Sequence, residues 1–125
     1  MKHIKSIDEF LNEGRIFGYR DLTPDYEEKL YTEFERLIKE KYMRLYRYVT
    51  NYLSTHDYEM YRNETMDAFM DMRNLFMLKM RDTRHNYTPE QAFAETEKQI
   101  EDESRNPIYS GDDAIDYNLI LKYKD

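Results

Sequence analysis

Three carboxylates, Glu64, Asp67 and Asp71, stand at spacings of three and four, so a helix brings them to one face, where a divalent cation could be held. Helices that build two-metal carboxylate centres normally add a Glu-x-x-His pair, and this chain has none. Its three histidines, His3, His56 and His85, fall in an amino-terminal tail and two turns, where an exposed imidazole is ordinary. The absence of cysteine excludes disulfides, thiolate metal sites and thiol nucleophiles. No glycine-rich phosphate loop, serine elbow or zincin motif is present. The carboxylates therefore read as a solvated face paired with basic side chains. The chain is expected to be non-enzymatic, with no metal and no cofactor.

Two charged faces are candidates for binding. Arg36, Lys39, Lys41, Arg44 and Arg47 are interleaved with Tyr42, Tyr46 and Tyr48, a pattern in which cations hold phosphates while bases stack on tyrosine. A net charge of −7 opposes tight non-specific binding to nucleic acid, so this face is the second reading, behind intramolecular pairing with acidic residues. Glu95, Glu97, Glu101, Asp102 and Glu103 make an acidic outer face on a later helix. Such a face meets a basic protein surface favourably and steers association, which makes it the candidate contact for a protein partner. The 13 tyrosines and 8 methionines keep a homo-oligomer open as well.

The elements that carry these residues read as helices. One valine and 3 glycines in 125 residues argue against a large sheet, and the length suits one domain. Few aliphatic residues are available, so tyrosine and methionine must supply much of the core, with tyrosine hydroxyls reaching water or a partner. Leu30, Phe34, Leu37, Leu45, Tyr48 and Tyr52 mark one helical face from Pro24 to Leu53, opened by the cap Thr23 and by Pro24. The stripe then loses phase around Ser54 to Asp57. A second stripe runs through Tyr61, Thr65, Ala68, Phe69, Met72, Leu75, Phe76 and Met80, predicting a tight turn and a helix from Asp57 to Arg81. Both helices are acidic early and basic late, so an antiparallel hairpin sets each acidic half beside a basic one.

Thr88-Pro89-Glu90-Gln91 is a helix start with cap, proline and capping-box glutamine. Ala92, Phe93, Thr96 and Ile100 form the inner face, and Asn106-Pro107 the stop. Residues 114–124 are ambiguous. Ile115, Tyr117, Leu119, Leu121 and Tyr123 alternate as a strand would, yet Asp112, Asp113, Lys122 and Lys124 suit a short helix, which is preferred for want of a partner strand. The fold expected is an all-α bundle: a long antiparallel hairpin, the Pro89 helix across it, and a short amino-terminal helix. No apolar run approaches the ~20 residues of a membrane span. The chain is therefore expected to be soluble, with no membrane partner.

Residues 1–13 form a separate unit. Ile4, Ile7, Phe10 and Leu11 make a narrow apolar stripe, Ser6 with Glu9 fits a capping box, and Gly14 is a stop; residues 14–125 form the domain proper. The run from Met1 to Gly14 begins Met-Lys, carries this amphipathic segment and ends Leu11-Asn12-Glu13-Gly14. It resembles the capsid-targeting propeptide of internal head proteins of T-even-type phages, which ends at a protease site of Leu or Ile, any residue, Glu and then a small residue. The same tripeptide form occurs at Ile7-Asp8-Glu9 and Ile38-Lys39-Glu40, but phenylalanine and lysine follow there. The likeness covers residues 1–14 alone, and packaged proteins of this kind are often basic, whereas this chain is acidic. It implies processing at Leu11, Glu13 and Gly14. It further implies a small protein carried in the phage head and delivered to the bacterial cytoplasm, where it binds and blocks a host factor. An ordinary amphipathic docking helix is the alternative.

Overall fold

The computed structural model describes residues 18–56, 63–106 and 114–125. The helix expected over residues 1–13 lies outside them. Among the described residues there are five helices: α1 (Pro24–Lys41), α2 (Met43–Thr55), α3 (Glu64–Arg81), α4 (Pro89–Arg105) and α5 (Asn118–Leu121). Extended pairing is limited there to one isolated bridge, Tyr19 with Asp82. The expected all-α bundle is the fold.

The helix starts follow local chemistry. The Thr23 side chain accepts from the Tyr26 N–H, and Thr88 with Gln91 closes the full capping box at α4. Thr88→Ala is expected to lower stability by about 1 kcal/mol, since it orphans the Gln91 N–H while leaving the packing intact; urea unfolding measures it, and an unchanged midpoint would discount the cap. Asn63 caps α3, accepting from the Met66 N–H. That helix therefore begins at Glu64, later than the Asp57 expected. Residues 57–62 lie outside the described residues, and with them most of the expected tight turn. The phase slip itself marks a real boundary, because α2 ends at Thr55 and His56 is extended (φ −135°, ψ 144°).

The hairpin is antiparallel. The Tyr26 hydroxyl donates to the Met80 carbonyl, Arg73 lies over the Tyr31 ring, Phe34 meets Phe69 and Phe76, and Asn63 donates to the Tyr48 hydroxyl. Aromatic and tyrosine hydroxyl contacts thus join the two arms. Among the described residues Arg36 holds Glu33 and Glu40 on its own helix and Glu90 on α4, at 2.8, 3.2 and 2.8 Å.

The single helix expected from Pro24 to Leu53 is broken at Tyr42, whose backbone (φ −137°, ψ 52°) is not helical. No glycine or proline stands there. The break is held by the far end of the chain: Asp125 N–H donates to the Lys41 carbonyl at 3.1 Å, and the Met43 N–H donates to the Asp125 carboxylate at 3.2 Å. These bonds satisfy backbone groups that a helix end leaves without partners. Arg44 adds a bond to the Lys122 carbonyl and lies over Tyr123.

The core is one cluster. Leu30, Phe34, Leu37 and Ile38 of α1 and Leu45 and Val49 of α2 meet Met66, Phe69, Met72 and Phe76 of α3 and Phe93 and Ile100 of α4. Met66 and Met77 join the buried set although the second stripe omits them, because α3 packs against α1, α4 and α5 and so buries more than one face. In the ambiguous segment Tyr117 and Ile120 are buried three residues apart and Ile115 is exposed, a helical spacing rather than an alternating one. Gly18 sits at φ 70°, with its carbonyl accepting from the Thr83 N–H, and the Arg84 side chain lies 2.9 Å from where a Cβ would stand. A side chain there would be strained and crowded.

Candidate functional site

The acidic face of α4 divides. Glu97 follows Phe93 by four residues and precedes Ile100 by three, so it turns inward with them and is buried. Its carboxylate accepts from the Tyr42 hydroxyl at 2.7 Å and pairs with Lys124 at 3.4 Å. Glu97 is thus corrected from outer-face contact to part of the core boundary. Glu101 pairs with Lys124 and Arg105. Glu95, Asp102 and Glu103 remain around a shallow surface hollow with Lys98 and Gln99.

The basic face is largely occupied from within. Arg36 holds three carboxylates, Lys39 lies over Tyr46, Lys41 over Phe93, and Arg44 over Tyr123. The break at Tyr42 also separates Arg36 and Lys39 from Arg44 and Arg47, so the five cations do not form one helical stripe. Arg47 is exposed. Of the carboxylate face on α3, Asp71 accepts from the Tyr117 hydroxyl. Among the described residues no group of three or more histidine, cysteine or acidic side chains is placed to hold a metal ion. The processing positions Leu11, Glu13 and Gly14 lie outside the described residues. No helix among the described residues is long and apolar enough to cross a membrane.

Tyrosine hydroxyls close the edges of the core. Burial, reinforced by the Glu97 carboxylate, pushes the Tyr42 hydroxyl well above the usual tyrosine range, and burial with Asp71 does the same for Tyr117. Beyond α3, Asp82 is held below the usual carboxylate range, first by the Arg84 guanidinium and also by His85.

The bend at Tyr42 produces a feature that the linear pattern does not reveal. An apolar cleft of about 200 Å³ opens between α1, α2 and α3, walled by Phe34, Ile38, Val49, Leu53 and Phe69, with Arg73 on one side. Leu53 is 46 % exposed on its lip. The Arg73 guanidinium carbon lies 4.2 Å from the centre of the Tyr31 ring, and its Nε is buried with no hydrogen-bond acceptor. An unmet buried donor costs roughly 1–3 kcal/mol, which an incoming acceptor would recover. Polar groups around the cleft are engaged: the Tyr46 hydroxyl donates to Glu35 at 3.1 Å and Thr50 donates to the Tyr46 carbonyl. The cleft is lined mainly by apolar side chains. At this size it takes one or two large apolar side chains rather than a drug-sized ligand, whose sites run from roughly 300 Å³ upward. Leu53 at the end of the first stripe and Arg73 in the basic half of the second were visible in the sequence; their meeting was not. Comparison with family models, curated proteins and solved structures gave no match to this chain.

Proposed function

We propose that this chain is a small non-enzymatic protein of phage type that binds and modulates a host protein, and that the α1–α2–α3 cleft receives an apolar anchor of that partner. The observation that carries the reading is the cleft itself, with apolar walls, an exposed leucine at its lip and an arginine holding an unmet donor. Anchors of this kind, entering desolvated pockets, dominate the energy of protein contacts. Glu95, Asp102 and Glu103 on α4 serve this reading as a steering field rather than as the anchor site. The amino-terminal resemblance supports the phage origin and carriage in the head or action in the bacterial cytoplasm.

Affinity capture from a bacterial lysate tests the reading when wild type is compared with Leu53→Asp, a change at an exposed position that leaves the core intact. A host protein retained by wild type and weakened about tenfold or more by Leu53→Asp is the expected result, since removing an interface anchor typically exceeds 1.4 kcal/mol. Retention equal for both proteins would remove the cleft from the contact. Nucleic acid recovered by wild type and lost on mutating Arg44 and Arg47 would favour the basic face, and recovery of the chain with itself alone would favour a homo-oligomer.

A further inference from the structure

The residues lining the α1–α2–α3 cleft all stand within helices, among them Ile38 in α1, Val49 and Leu53 in α2, and Phe69 and Arg73 in α3. The backbone N–H and carbonyl groups of a helix interior bond within the helix, so the cleft presents no sheet edge to a visitor. An extended segment laid into it would bury amide groups without partners. A helix brings its own backbone bonds and sets only side chains into such a groove.

Charge then selects the kind of helix. Arg73 is half-buried, its guanidinium rests on the Tyr31 ring, and its Nε has no hydrogen-bond acceptor among the described residues. Polar groups around it are engaged with one another. The Tyr46 hydroxyl donates to Glu35, the one carboxylate among the described lining residues, and the Thr50 hydroxyl donates to the Tyr46 carbonyl. Arg73 is thus the group in the wall with a bond still to make. A guanidinium that turns off the ring offers Nε and one Nη as a fork, which matches the two oxygens of a carboxylate. A lysine or arginine brought to the same place would meet like charge in apolar surroundings.

We infer that the partner segment fitting this cleft is an amphipathic helix in which a large apolar anchor, leucine or phenylalanine, is accompanied three or four positions away by a glutamate or aspartate that pairs with Arg73. That spacing puts anchor and acid on one helical face, as a single cleft requires. The inference rests on the reading of the cleft as the partner-contact surface and names the chemistry that surface selects. Arg73 sets the charge beside the anchor alone. The net charge of −7 on the chain favours a partner that is basic elsewhere.

A library of stapled helical peptides with four randomised positions on one face, selected on the immobilised full-length chain, tests this. Enriched peptides are expected to carry leucine or phenylalanine with an acid three or four positions away. In fluorescence anisotropy with one such peptide, exchanging its Glu for Gln is expected to weaken binding to wild type about tenfold or more, the range for a hydrogen bond to a charged group. The same exchange should change binding to Arg73→Met by less than about twofold, because the partner charge is gone while the apolar stem remains. The exchange in the peptide leaves the protein untouched, so that reading does not depend on how the variant folds. Enrichment of apolar faces without an acid, no enrichment, or an equal effect of Glu to Gln on wild type and Arg73→Met would each overturn the inference. Leu53→Ser, which strips the lip without adding charge, separates the two readings. Peptide binding weakened by Leu53→Ser but indifferent to the peptide's acid keeps the cleft as the contact and rejects the acidic helix. Peptide binding indifferent to both Leu53→Ser and Arg73→Met rejects the cleft, and the inference with it.

Discussion

Phe34→Ala is expected to lower the unfolding free energy by about 3–5 kcal/mol, a large part of the roughly 5–15 kcal/mol that holds a domain of this size together. Phe34 is 1 % exposed and its ring lies 5.5, 5.3 and 5.9 Å from those of Phe69, Phe76 and Phe93. It therefore joins α1 to both α3 and α4. The neighbouring rings are rigid and already packed on one another, so the space left by the ring stays largely empty, which sets the loss toward the upper end. Urea titration followed by circular dichroism measures it. A loss below about 1 kcal/mol would mean that the three neighbouring rings close the gap, contrary to the packing described.

Tyr42→Phe is expected to cost about 1.5–3 kcal/mol at neutral pH, the range for a hydrogen bond to a charged group, because the Glu97 carboxylate keeps its buried place and loses the hydroxyl. It is also expected to change the alkaline limb of the stability curve. The Tyr42 and Tyr117 hydroxyls titrate above the ordinary value of 10.0 in the folded chain, through burial and then through Glu97 and Asp71 respectively. A group held protonated by folding contributes stability that is complete below its unfolded value and is lost as pH rises above it. Wild type should thus lose stability steeply above pH 10.0, and Tyr42→Phe less steeply. Melting temperatures at several alkaline pH values decide the matter; parallel slopes for the two proteins would place the titration elsewhere.

What could be read from the sequence was what local chemistry determines. The start of α4 needs only Thr88, Pro89 and Gln91, and the inner face of that helix, Ala92, Phe93, Thr96 and Ile100, is buried as its spacing requires. The antiparallel sense of the hairpin also followed from the charge halves. The contacts that cross it include Arg73 over the Tyr31 ring and the Tyr26 hydroxyl on the Met80 carbonyl, which charge alone does not announce. Glu97 misled because its charge suggested solvent, while its spacing from Phe93 and Ile100 placed it inside, where Tyr42 and Lys124 receive it. The break at Tyr42 was not legible at all. Glu97 lies 55 positions from Tyr42 and Asp125 82 positions from Met43, and no local residue announces either. The cleft depends on the bend at that break, so it stayed hidden as well.

The Asp125 bonds on either side of Tyr42 also carry a kinetic consequence. Helices and their hairpin form from contacts near in sequence, whereas a bond between Met43 and Asp125 closes a loop of 82 positions and comes with the corresponding loss of chain entropy. The bend at Tyr42 is therefore expected to set late in folding, once the carboxyl-terminal segment docks. Substitutions at Asp125 would then change the unfolding rate and leave the folding rate nearly constant, the behaviour of an interaction formed after the transition state.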